Sequence, residues 1–227
     1  MTGNGEDATL ARRPGTRELR LAADTPGPVP AHAARGAREE DDAELPRDRN
    51  QAILEAAKHV GAVLKRGGHL FALAGSVAVH AHGGSGNLQH DVDFCVRPED
   101  AESVAATLRE AGLTVYTPPE DWLLKATCFG QDVDLIFELA HRPVSTGMLE
   151  RAQELPVESV RMPVLAPTDL LTALLAAFSE HHCDFGAVLP IARALREKVD
   201  WERVRRDCGD EPMPAAFFFL LERLNVI

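Results

Sequence analysis

Acid and apolar residues alternate in Asp91-Val92-Asp93-Phe94, and no other stretch of this 227-residue chain restricts its folding as tightly. Alternation at a period of two marks a strand with one buried face. Both carboxylates then project to one side while Val92 and Phe94 turn to a core. Two like charges this close repel each other unless a cation or solvent compensates. Hard oxygen donors on a rigid strand suit magnesium. On its own, such a pair more often marks two solvated aspartates on an exposed edge strand.

Two further segments bear on that reading. Residues 69–74 form a short apolar run that reads as a buried strand, broken by Gly75-Ser76. A glycine there lets a phosphate approach the backbone, and amides at the start of the following helix can bind the anion. Gly130-Gln131-Asp132-Val133-Asp134-Leu135-Ile136 reads as another strand with acids in alternation. Asp134, or else Asp132, can thus bring a third carboxylate from a neighbouring strand.

Along the chain, residues 1–45 have scarcely any large apolar side chains and are predicted to be a disordered tail. Residues 46–165 form a predicted α/β domain and 166–227 a helical region. Ile53, Leu54, Ala57, Val60, Gly61 and Leu64 fall at helical spacing, and Gly67-Gly68 ends that helix. Gly83-Gly84-Ser85-Gly86-Asn87 is a predicted loop. A helix should run from Pro98 to Ala111, with Gly112 closing it. Strands are predicted over 113–116, 122–129 and 132–139, with one short segment around 157–165. Thr168 is the predicted N-cap of a helix through Leu170, Leu171, Leu174, Leu175 and Phe178. Helices near 186–197, 200–208 and 213–224 follow. At most two of Phe217, Phe218 and Phe219 can be buried on one helix. The order implies an α+β fold: a mixed β-sheet with flanking helices, then a C-terminal helical bundle.

The formal charge of −11 argues against a surface that holds nucleic acid nonspecifically. It leaves nucleotide binding open, because a metal in a carboxylate cluster can supply the charge a phosphate needs. Cys95, Cys128, Cys183 and Cys208 are scattered, as reduced thiols of a cytoplasmic protein would be. His181, His182 and Cys183 lack a second ligand pair at zinc-like spacing. Asp184 beside them reads as a helix cap. His80, His82 and His90 lie near the acids in sequence and read as surface or supporting side chains. No apolar run is long enough to cross a membrane, and the first residues show no signal pattern.

Taken in order, Leu73-Ala74-Gly75-Ser76, a 14-residue gap, Asp91-Val92-Asp93-Phe94 and Val133-Asp134-Leu135-Ile136 resemble the nucleotidyltransferase superfamily signature. With His90 beside the acids, the pattern is similar to the branch of aminoglycoside and lincosamide nucleotidyltransferases and AbiEii-like toxins. The resemblance covers about residues 50–140. It implies that Gly75 and Ser76 contact a nucleoside triphosphate and that Asp91 and Asp93 hold two magnesium ions. Asp134 would share a metal and act as base on a hydroxyl of a small molecule, protein or RNA, with pyrophosphate leaving. Two departures stand out. Asn87 and Gln89 occupy places where many relatives have Arg and Thr, and residues 168–180 contain no Lys or Arg where several carry a lysine. Lys125 or an arginine elsewhere in the chain would have to substitute. A non-catalytic nucleotide- or partner-binding protein of the same fold, or the toxin of a toxin–antitoxin pair, are the alternative readings.

Overall fold

The computed structural model describes residues 49–84, 88 and 91–227. The tail predicted over 1–45, Ser85-Gly86-Asn87 of the predicted loop, Gln89 and His90 lie outside the described residues.

Helix α1 (Arg49–Arg66) buries Ile53, Ala57, Val60 and Leu64 along one stripe, and Gly68 leaves it with φ of 70°. Strand β1 (Phe71–Leu73) is wholly buried and runs into α2 (Gly75–Ala81). Strand β2 (Asp91–Val96) follows. The predicted helix from Pro98 to Ala111 forms as a 3-10 turn (Pro98–Asp100) leading into α3 (Ala101–Glu110). Strands β3 (Thr114–Tyr116), β4 (Leu123–Cys128) and β5 (Gln131–Ile136) come next. The strand predicted over 132–139 divides into β5 and β6 (Glu138–Leu139), and β6 pairs with β7 (Arg142–Pro143) in a small separate ribbon. β7 and α4 (Thr146–Glu150) fall where the sequence predicts loop.

The segment expected around 157–165 is in fact a hairpin of β8 (Gln153–Val157) and β9 (Val160–Val164). It joins a seven-stranded sheet in the order β3-β4-β5-β2-β1-β9-β8. The sheet is mixed. β2 runs parallel to β5 and β1 parallel to β9, whereas β1 with β2 and β4 with β5 are antiparallel.

Four helices complete the chain: α5 (Pro167–Ala176), α6 (Phe185–Leu195), α7 (Trp201–Cys208) and α8 (Pro212–Arg223). The N-cap of α5 is Ala166, with Pro167 as the first helical residue, so Thr168 does not cap it. Its hydroxyl instead accepts the N–H of Asp200 at 3.0 Å, at the entrance to α7. Asp184 and Asp200 cap α6 and α7 by accepting from Ala187 and Arg203. Phe217 and Phe218 are buried, while Phe219 is 65% exposed. A single apolar cluster takes residues from α1, the sheet and the C-terminal helices. Asp169 on α5, only 3% exposed, accepts from Arg151 Nε (3.0 Å) and Nη2 (2.9 Å) and from Arg203 Nη2 (2.6 Å). One acid thereby ties α5 to the end of α4 and to α7. The whole is the α+β arrangement expected from the element order.

Candidate active site

The antiparallel register of β1 and β2 sets Leu73 opposite Phe94, and the Ala74 N–H donates to the Asp93 carbonyl at 2.8 Å. Gly75 therefore lies against Asp93. Its φ is 60°, and a Cβ added there would run into the Asp93 carboxylate. Both the backbone angle and the close approach demand glycine at this turn. Ser76 follows in the first turn of α2.

The parallel register of β2 and β5 places Asp91 opposite Asp132 and Asp93 opposite Asp134. Alternation sends these side chains out of one face, with Val92, Phe94 and Val133 buried behind them. Asp91, Asp93 and Asp134 each offer an oxygen within 4.8 Å of the others. Asp132 is exposed at the start of β5 and does not join them. Among the described residues this is the one group of three or more acids, histidines or cysteines close enough to share a metal ion.

The electrostatics follow from that crowding. Burial, and then the charges of Asp91 and Asp134, push the Asp93 carboxyl up to about 8. Burial also raises Asp134, against a hydrogen bond from Lys125 that pulls the other way. Lys125 lies opposite Asp134 across β4 and β5, and its Nζ donates to Oδ1 at 2.8 Å and Oδ2 at 3.0 Å. For Lys125 itself, burial would lower the affinity for its proton, but the hydrogen bond and charge of Asp134 outweigh it and raise it. Three carboxylates in one half-buried group are hard to ionise together without a further cation. An all-oxygen donor set on two adjacent strands fits a hard divalent ion such as magnesium.

The other sequence candidates stand apart from this group. His80 is exposed. His82 is buried, with Nε2 hydrogen-bonded to the Leu165 carbonyl at 2.9 Å. His181 and Cys183 are exposed beside the Asp184 cap. Sequence reasoning missed how fully Lys125 is engaged. The hairpin turn at Phe129-Gly130, where both residues have positive φ, fixes the pairing that brings Lys125 to Asp134. That turn was the available signal. The arginines gathered on Asp169 carried no signal, because Arg151 and Arg203 come from separate elements.

A mixed sheet with a glycine turn beside carboxylates on two adjacent strands defines a nucleotidyltransferase fold. The profile of a family described as "Uncharacterised nucleotidyltransferase" matches residues 41–223, and the chain belongs to that family of enzymes. Two solved structures of the antibiotic-resistance factor ANT(2'')-Ia share the fold. The solution structure aligns with a TM-score of 0.53 at 14% identity, covering 78% of this chain and 96% of that one. The crystal structure with adenylyl-2''-tobramycin gives 0.51 at 14% identity, covering 73% and 97%. A crystal structure of the lincosamide antibiotic adenylyltransferase LnuA, lincomycin-bound, aligns at 0.40 and 12% identity, over 62% and 94%. No curated protein matches the sequence.

Proposed function

We propose that the chain transfers a nucleoside monophosphate from a nucleoside triphosphate to a hydroxyl group, with magnesium as the cofactor. The observation that carries this is the convergence of Asp91, Asp93 and Asp134 to within 4.8 Å beside the Gly75 turn. Asp91, Asp93 and Asp134 would hold two magnesium ions. When bound, the ions supply charge stabilisation at the attacking and leaving oxygens of an in-line displacement.

The chain's own residues have separate tasks. Gly75 and Ser76 offer backbone amides to the triphosphate, and Gly75 leaves room for that approach. Asp134 takes the proton of the acceptor hydroxyl. The hydroxyl oxygen then bonds to the α-phosphorus, the bond to the pyrophosphate oxygen breaks, and pyrophosphate departs. Most of the rate gain would come from positioning and fixed charge.

For the acceptor we favour a small molecule over RNA. ANT(2'')-Ia, which shares the fold, was crystallised with an adenylylated aminoglycoside, and the charge of −11 disfavours an RNA surface. No helix among the described residues is long and apolar enough to cross a membrane, and the four cysteines are free. We place the protein in the cytoplasm on those grounds.

Pyrophosphate release, measured with each of four labelled triphosphates, magnesium and a panel of hydroxyl acceptors, tests the reading. Asp93→Ala should lower the rate about 100-fold or more. Release that persists in this variant, or is absent with every nucleotide, counts against the enzyme. A second reading, a non-catalytic binder of the same fold, draws on α5, which contains no Lys or Arg, whereas several members of the resembled superfamily carry a lysine in the corresponding helix. Calorimetry with magnesium and a non-hydrolysable triphosphate separates it: heat of binding without any turnover favours the binder.

A further inference from the structure

Lys125 belongs to a row of side chains that crosses four strands. The pairing runs from Asp93 to Asp134, from Asp134 to Lys125 and from Lys125 to Tyr116. The row lies on the face from which the three carboxylates project. One ammonium engages both oxygens of Asp134, at 2.8 and 3.0 Å. The Asp134 side chain is only 9% exposed, whereas that of Lys125 is 27% exposed. The acid is enclosed and the cation keeps a way out to solvent. Among the described residues, Asp134 is the one acid of the three that has a salt bridge.

The three carboxylates are therefore not equivalent. A divalent ion seated on all of them would share Asp134 with an ammonium, and two cations on one carboxylate repel each other. Lysine carries its charge as a point on a flexible four-carbon stem, so it can swing away without backbone movement. What would draw it off is an anion arriving at the same face.

We propose that Lys125 is a displaceable counterion of Asp134. In the protein alone it keeps Asp134 out of the divalent-ion site, leaving a single ion to Asp91 and Asp93. A bound triphosphate takes over the ammonium as Asp134 is released to a second ion. Lys125 is thus a positioning residue that couples the filling of the site to nucleotide binding. This rests on the nucleotidyltransferase reading and adds an order of assembly to it.

Manganese binding to the full chain, counted by electron paramagnetic resonance, tests the proposal without reference to turnover. The wild type should bind one ion alone and two with a non-hydrolysable triphosphate. Lys125→Met should bind two ions without nucleotide, or bind the first about tenfold tighter. Circular dichroism and melting establish that the variant is folded, and the paired wild-type titrations stand without it. Two ions bound to the wild type alone, or unchanged stoichiometry and affinity in folded Lys125→Met, would overturn the counterion role. If Asp93→Ala still abolishes pyrophosphate release in that event, the enzyme reading survives. No manganese bound under any condition would overturn both.

Discussion

At Gly75 the backbone does two things that only glycine permits: it turns through φ of 60° and lets Asp93 lie against it. Gly75→Ala should cost about 1–3 kcal/mol of stability, read from chemical denaturation, and should displace the Asp93 carboxylate. His82 gives a test of pH dependence. Burial holds its imidazole below the ordinary 6.5, with Lys198 adding to the shift and the bond to Leu165 opposing it. A pKa depressed on folding means that the unfolded chain takes up the proton first. This contribution is complete above about pH 6.5, the unfolded value, and is lost progressively as the pH falls from there through the lower folded-state value. The wild-type melting temperature should drop more steeply between about pH 7 and 5 than that of His82→Gln, which can still donate to Leu165. At this scale Asp91, Asp93, Asp134 and Gly75 were legible, because strand alternation assigns faces and a glycine after a strand marks a turn. Thr168 was not. Its hydroxyl serves Asp200, 32 residues further on, and no local pattern encodes that partner.

Among the elements, α8 shows how one helix divides three identical neighbours. Phe217 packs on Phe178 and Phe185, Phe218 lies under Arg205 at 4.3 Å, and Phe219 faces outward. Phe218→Ala should destabilise by about 3–5 kcal/mol. Phe219→Ala should change stability by less than about 0.5 kcal/mol, both by urea titration. The longer helices were readable because each repeats apolar residues over several turns. The β8–β9 hairpin was read as one segment for the opposite reason. In β8 only Val157 is buried, and Pro156 and Pro163 interrupt the two strands. A half-exposed strand at the sheet edge, with proline in it, carries little period-two signal. The two-residue strand β7 and the five-residue α4 are too short to show any period.

For the molecule as a whole, a divalent ion that binds only the folded chain must stabilise it. Manganese at about 100 times its dissociation constant should add about 2.7 kcal/mol to the unfolding free energy, reversed by a chelator. Asp93→Asn should lose most of that gain, and melting curves with and without the ion decide it. The sheet order was not legible, since which strands become neighbours depends on long-range pairing that a single sequence does not display. The fold class was, because the run of elements leaves few ways to cover a mixed sheet. The parallel pairing of β2 with β5 has one more consequence. Asp93 and Asp134 are joined through α3, β3 and β4, all of which must be laid down before the two acids meet. During synthesis the growing chain would acquire two of its three carboxylates early and gain the last only as β5 emerges. No shorter nascent product could bring all three together, so synthesis itself delays the chemistry until the sheet can close.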